Sequence, residues 1–259
     1  MRLITYVVGV LFLLTAPVSA YAIGAEVAIG GWGQGPSGSL GYNAADTLDL
    51  EGDFNYDRET RVFGRVKVDM PLIIPNIYLV ATPMAFEGKG SKDSSFTFGD
   101  ETFSGSAQFD SKITLDHYDI ALYYGIPFLK TATLGKLNVE LGINARILDF
   151  SAEVTGQNTL GTAATDSTSM TIPVPMIYIG AQVNPIKFVS LEVEGRGIAY
   201  NDNSYYDFTG RVKVKPLGVP LLKPFIAVGW RQETINIDVD DVKADLKFGG
   251  PFAEIGVEF

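Results

Sequence analysis

Cysteine is absent from the 259 residues. That excludes a disulfide framework, a lipid-bearing cysteine anchor, thiolate metal sites and thiol nucleophiles. Histidine occurs once, at His117. Positive charge is scarce, with 20 Lys and Arg against 30 Asp and Glu. Such a surface repels nucleic acid, and no basic, aromatic-interleaved patch offsets it. A nucleic-acid partner is excluded on that ground, and no motif calls for a cofactor. Long apolar runs are also missing. The one candidate, Leu3 to Leu14, is shorter than the ~20 residues that a spanning helix needs.

That run belongs to a secretory signal. Arg2 supplies a positive start, Leu3 to Leu14 the apolar stretch, and Ala20-Tyr21-Ala22 a small-residue cleavage site. The expected division is a cleaved signal over residues 1–22 and one domain over 23–259. Without Arg2, nineteen bases face thirty acids, a net charge near −11. An exported domain without disulfides has to be held by its own sheet.

From Ala25 onward the apolar period is two, which is the side-chain period of a strand. Strand two carries Val62, Gly64, Val66 and Val68 on one face and Arg61, Arg65, Lys67 and Asp69 on the other. Strand five sets Leu137, Val139, Leu141 and Ile143 against Asn138, Glu140, Asn144 and Arg146. Strand four changes phase, with Ile113 and Leu115 apolar at odd positions and Ile120, Leu122 and Tyr124 at even ones. One extra residue near Asp116 to Asp119, a β-bulge, would reconcile its halves. Ten strands are expected, with eight or twelve as alternatives. The first ends at about Trp32, the sixth begins at about Met170, and long polar loops cover 34–57, 87–105 and 156–167. Short, proline-marked turns alternate with these loops, as periplasmic turns alternate with extracellular loops in outer-membrane barrels.

Alternation alone does not say which face is wet. A soluble periplasmic barrel turns its apolar row inward; a membrane barrel turns it toward lipid and keeps charge in the lumen. The export signal favours the membrane case. So does the last strand, where Ala253, Ile255, Val257 and Phe259 form an apolar row, the expected insertion signal, opposite Glu254 and Glu258. Aromatic residues near proposed strand ends fit interfacial girdles: Tyr42, Tyr56, Phe86, Tyr200, Tyr205 and Tyr206 extracellular, Tyr124, Phe128, Phe188 and Phe225 periplasmic. The expected fold class is therefore all-β, an antiparallel up-and-down transmembrane β-barrel.

Asp116-His117-Tyr118-Asp119 with Leu122-Tyr123-Tyr124, then Pro175-Met176-Ile177-Tyr178, then Gly229-Trp230-Arg231 resemble one group of proteins. So does Asp238 to Asp245 followed by Gly250-Pro251-Phe252 and Phe259. The group is a set of small proteobacterial outer-membrane β-barrel proteins. The resemblance spans nearly the whole chain after the signal and implies fold and location, with no functional residues to carry over.

With the polar face inward, the lumen is expected to hold Arg61, Arg65, Lys67, Lys112, Asp119, Glu140, Arg146, Glu192, Glu194, Arg196, Arg211, Lys213, Arg231, Glu233, Glu254 and Glu258. Buried charge is tolerable when paired, so a ladder of ion pairs follows. Glu254 and Glu258 are expected to meet bases from strands one and nine, such as Arg231. Eight to ten strands leave an interior that side chains fill, which favours a plugged lumen over a narrow solute channel. The expected role is structural, or interaction through the outer loops, in a monomer. Its expected partners are outer-membrane lipid, lipopolysaccharide and the barrel-assembly machinery.

Two constellations invite chemistry. His117 between Asp116 and Asp119, with Ser111 upstream, suggests a lipid-modifying enzyme, but its spacing matches no recognised motif. A polar residue filling the bulge is the preferred reading, and no enzyme activity is expected. Asp238, Asp240, Asp241 and Asp245 offer oxygen ligands to a hard cation. They lack the central glycine and closing glutamate of an EF-hand, so a solvated acidic loop is expected and no metal.

Overall fold

The computed structural model describes residues 24–43, 47–71, 73–216, 222–239 and 242–259. The expected signal peptide, Asp240 and Asp241 lie outside the described residues. The strands are β1 (Gly24–Tyr42), β2 (Leu48–Asp49), β3 (Glu59–Asp69), β4 (Asn76–Thr82), β5 (Ala85–Ser91), β6 (Phe96–Phe98), β7 (Glu101–Phe103), β8 (Gln108–Gly125), β9 (Leu137–Gln157), β10 (Ala163–Ile186), β11 (Val189–Tyr200), β12 (Asn203–Val214), β13 (Lys223–Val239) and β14 (Val242–Glu258).

Each stave of the wall pairs antiparallel with its sequence neighbour, and β14 returns to pair with β1 from Glu26↔Glu258 to Tyr42↔Val242. Neither terminal strand is left as an edge, because β1 and β14 pair with each other. β4 and β5 make one stave, since Thr82↔His117 and Ala85↔Thr114 keep a common register on β8. Pro83 interrupts them because it has no N–H to add to the ladder. Among the described residues the wall therefore has ten staves, the expected number. Gly24 and Phe259 lie at one rim, here the near rim; the opposite end is the far rim.

The side-chain rule reverses along the staves. Below the level where Tyr118, Ile147 and Pro173 stand side by side, outward positions are Ile120, Leu122, Ile143, Ile177, Ile179, Phe208, Val228 and Ile255, all exposed. Inward positions there are Arg65, Asp119, Arg146 and Glu254, all buried. This is the inverted pattern of a transmembrane barrel. Above that level Lys112, Asp149, Glu153, Lys243 and Lys247 face outward and exposed, while Ile113, Leu115, Leu148, Val154, Leu246 and Phe248 face inward and buried. That is the pattern of a water-soluble sheet.

The reversal removes the expected bulge in β8. Its register with β9 is unbroken from Asp110↔Thr155 to Gly125↔Glu140, and odd residues point inward throughout. Ile113 and Leu115 face the far-rim core, whereas Ile120, Leu122 and Tyr124 face lipid. The strand changes medium, not phase. A register shift does occur elsewhere, between Val183 and Ile186 in the β10–β11 pair, around Asn184-Pro185.

Several expected loops are strand. β1 continues to Tyr42 and β10 begins at Ala163, so β9 and β10 extend as one long hairpin. Within β1, Gly38 has φ +100°, a conformation open to glycine but strained for other residues. Segments 47–58 and 92–107 fold inward instead of trailing into solvent. They insert Leu48, Leu50 and Phe54, and Phe96, Phe98 and Phe103, between the extended staves. Phe86 of β5 stacks on Phe248 of β14 with ring centroids 5.3 Å apart, joining the two sides of that core. Asp238 and Asp245 stand on facing strands of the β13–β14 hairpin, with Lys243 3.6 Å from Asp238, so the acidic stretch is not one loop.

The girdle expectation needs the same correction. Tyr56, Phe86, Tyr205 and Phe225 are buried inside, and Tyr42 packs against the far-rim core. Tyr124, Phe128, Phe188, Tyr200 and Tyr206 are exposed, joined by Tyr118 and Trp230.

Candidate functional site

The lumen carries a continuous network of charge. Its middle tier is set by cross-strand neighbours. Asp119 of β8 lies opposite Arg146 of β9, and Arg146 donates to both Asp119 oxygens, each at 2.9 Å. From across the lumen, Asp207 and Glu233 meet Arg146 and Arg231; Arg231 Nη2 sits 2.8 Å from Asp207 and 2.6 Å from Glu233. Arg231 Nη1 also donates to Thr82 Oγ1 at 2.9 Å. The guanidinium carbons of Arg146 and Arg231 lie 4.7 Å from the ring centroids of Tyr205 and Trp32, so aromatic faces complete their surroundings.

The lower tier repeats the design. Arg65 forks onto Glu254 at 2.9 and 2.8 Å and reaches Glu26. Arg211 bridges Glu192, Glu194 and Glu254. Lys67 contacts Glu140 at 3.1 Å and Glu194 at 3.3 Å, under the rings of Tyr78 and Tyr178. Lys213 joins Glu26 and Glu192, and Lys215 closes on Glu258. In a low-dielectric interior each charge is bearable because an opposite one holds it; removing one partner strands the other.

Fourteen of the sixteen residues expected in the lumen belong to this network, thirteen in the two tiers and Arg196 between them, 3.8 Å from Glu194 and 3.9 Å from Asp207. Lys112 does not. It points outward above the lipid level, 2.6 Å from Glu87, because the unbroken β8 register puts even residues outside. Its hydrogen bond and charge hold the Glu87 carboxyl below the usual carboxylate range. Arg61 faces inward at the margin, half-exposed, donating to the Ala85 carbonyl at 2.8 Å and joining no tier. Four members were missed, Glu26, Asp207, His117 and Lys215. Asp207 shares strand parity with Arg211 and Lys213, which is the signal that places it. Glu254 and Glu258 meet Arg65, Arg211, Lys213 and Lys215 instead of Arg231, and strand one contributes the acid Glu26 instead of a base. Of the insertion row, Ala253, Ile255 and Phe259 are exposed and Val257 is half-buried.

His117 is buried in the middle tier, not seated in a bulge. Its Nδ1 is 3.1 Å from the Leu115 carbonyl, and its Nε2 is 3.2 Å from Arg231 Nη2 and 3.3 Å from Glu233 Oε1. Ser111 instead reaches the Gly88 carbonyl at 3.4 Å, so serine and histidine do not assemble. Ligand atoms of His117, Asp207 and Glu233 fall within 4.8 Å of one another, a spacing a metal ion fits. Arg146 and Arg231 already occupy those carboxylates, which leaves the group's charge compensated.

A polar cavity of about 560 Å³ opens at the near rim among Glu26, Lys67, Tyr123, Glu140, Lys215 and Glu258. Above it the charge tiers fill the lumen, and above them the apolar core fills the rest.

These features define a ten-stranded transmembrane β-barrel of the outer-membrane class. Among solved structures it is similar in fold to the outer membrane protease OmpT of Escherichia coli, at 11% identity over 94% of this chain and 99% of that one, with a TM-score of 0.52. Weaker likenesses are the translocator domain of the autotransporter NalP from Neisseria meningitidis (TM-score 0.44, 11% identity, 100% and 95% coverage) and the attachment invasion locus protein Ail of Yersinia pestis (0.34, 9%, 92% and 100%). No family model matches the sequence, and no curated protein matches it either.

Proposed function

We propose that this is a non-conducting barrel of the bacterial outer membrane whose far rim projects from the cell as an interaction surface. One observation carries the reading: the lumen is closed twice over, by the charge tiers within the lipid belt and by an apolar core of folded-in loops above it. An open channel needs a continuous wet path, and the far-rim core, with Phe54, Phe86, Phe96 and Phe248 all buried, leaves none among the described residues. The polar outward face above the lipid belt suits an aqueous, extracellular setting, with lipopolysaccharide around the belt. The outward row Ala253, Ile255, Val257 and Phe259 suits recognition by assembly machinery at the β14–β1 seam, and the closed wall is complete in a monomer.

Reconstitution into planar bilayers tests this. The barrel should give no stable single-channel steps. Steps of reproducible size that are abolished by filling the near-rim cavity would establish a narrow solute channel instead.

A further inference from the structure

The wall is not zipped to the same height everywhere. β10 and β11 pair from the near rim up to Ile177↔Gly197 and then part. Above that rung β10 runs on to Ala163, paired with β9 alone. Among the described residues, no backbone group from Ala163 to Met176 bonds to a backbone outside β9. The hairpin tip fixes which groups are free. One rung beyond Gln157↔Ala163, the Asn158 N–H donates to the Thr162 carbonyl at 2.9 Å, so even residues of β10 bond to β9. Odd residues therefore turn their backbone groups to the open side. Pro173 and Pro175 fall on that odd set where the wall enters lipid, and an unpaired N–H would find no water there. Above them Thr165, Ser167, Ser169 and Thr171 keep their donors.

Exposed edges are ordinarily blunted by lysine, proline, a bulge or a covering loop. The stretch 163–172 has no lysine and no proline, and its register with β9 is unbroken. The edge that β13 leaves above Ser204↔Asn236 is short and capped, since Asn203 Oδ1 accepts from the Asp238 N–H at 2.7 Å. The inner face of β10 is incomplete as well. Met170, Ile172 and Val174 are half-buried, whereas Leu148, Ala152 and Val154 on the adjoining β9 are buried. On the outer face, Glu153 and Asp149 of β9 stand exposed opposite Ser167 and Thr171, which disfavours an acidic neighbour.

We propose that the free edge of β10 is a strand-addition site for an extended, non-acidic segment of a partner protein. The segment's backbone takes the free N–H and C=O groups of the odd residues. Its apolar residues cover Met170 and Ile172, and its polar ones join the outward hydroxyl row from Thr165 to Thr171. The site deepens the proposed interaction role of the far rim and rests on that reading. Proline ends the edge at the lipid, and the donor-bearing part lies wholly in water, where a soluble partner reaches it.

The probe is a short peptide alternating valine and threonine between terminal lysines, N-methylated along one edge to prevent self-association. Fluorescence anisotropy with the full barrel in detergent should show binding at least about tenfold tighter than for the same peptide N-methylated along both edges. Ser167→Pro with Ser169→Pro carries the proline pattern up the odd set, leaves the bonds to β9, and should weaken binding at least about tenfold. Ser167→Thr with Ser169→Thr keeps both N–H groups and should bind like the parent. Heat-modifiable gel mobility confirms that each variant is folded. Hydrogen exchange supplies a second readout. The amides of Ser167 and Ser169 should exchange fast in the free barrel and those of Thr168 and Met170 slowly, and the peptide should protect the first pair. No preference for the one-edge peptide, or binding undiminished by the prolines, would overturn the site. Equal exchange of odd and even amides in the free barrel would overturn the edge itself. A barrel dimer that the prolines abolish would give the edge to a second copy and overturn the partner assignment. Channel steps in planar bilayers would leave these measurements unaffected, so the two proposals fail separately.

Discussion

Asp119 and Arg146 face each other across the β8–β9 pair, and both carboxylate oxygens take a hydrogen bond from the one guanidinium at 2.9 Å. Neither side chain is exposed to solvent. The pair anchors the middle tier, since Arg146 also reaches Asp207 and Glu233.

Breaking it from one side should be costly. Asp119→Ala leaves Arg146 with one fewer counter-charge in a dry interior, a loss of about 3–5 kcal/mol. Replacing both residues with leucine removes one charge of each sign and should cost less than the single change, because Asp207 and Glu233 keep Arg231. Urea unfolding in lipid vesicles of the single and double variants measures the difference. Equal losses would mean that the pair is not buried as described.

Lys112 and Arg65 were expected together in the lumen and lie in different media. Lys112→Glu should fold normally, because the side chain projects into water beside Glu87. Arg65→Glu should fail to fold, because it sets three carboxylates against one another where Glu26 and Glu254 now share one cation. Heat-modifiable gel mobility reads both. The Glu87 carboxyl, held low by Lys112, has a folded pKa below its unfolded one. The contact therefore contributes stability above the unfolded pKa, and the contribution is lost as pH falls through the folded one. Carbon-detected NMR titration should show Glu87 moving up to the ordinary carboxylate range in Lys112→Met.

His117 is the single histidine, so its accessibility has an unambiguous signal. Its side chain is fully buried, and diethylpyrocarbonate should leave the folded barrel unmodified while adding one group after unfolding in urea. Fast modification of the folded protein would place the imidazole in a wet, reactive setting and reopen catalysis.

The far-rim core should behave as a unit of its own. Phe86→Ala removes half of the stack with Phe248 and should cost about 3–5 kcal/mol locally. Limited proteolysis should then cut within 47–58 or 92–107 while the lipid-embedded staves stay intact. Cleavage within the staves instead would show that core and belt unfold together.

Much of this architecture is legible in period-two alternation. Strand five and the last strand announce their faces, and the direction of the charged face follows from the membrane-barrel expectation. What stays hidden is the change of medium. Ile113 and Ile120 are equally apolar, and nothing local says that one sits between Phe86 and Ala152 in the far-rim core while the other meets lipid, so their opposite parity reads as a bulge. The upper half of β10 is masked for a related reason. Thr165, Ser167, Ser169 and Thr171 face water, the inward Ala164, Ile172 and Val174 are sparse, and the stretch reads as a polar loop. Asp207 is hidden because it follows a turn and two tyrosines and precedes Phe208, although its parity with Arg211 puts it in the lumen.

The reversal along β8 is the feature on which the membrane placement, the absent bulge and the two-part closure of the lumen all depend. Because the chain has no cysteine, single-cysteine spin labels can be walked from Gln108 to Tyr124 in reconstituted barrels, and oxygen and a water-soluble nickel complex compared as relaxants. Even positions from 118 to 124 should respond to oxygen, positions 108, 110 and 112 to nickel, and odd positions to neither along the whole strand. A switch of the protected set from odd to even between 116 and 119 would contradict the account and restore the bulge.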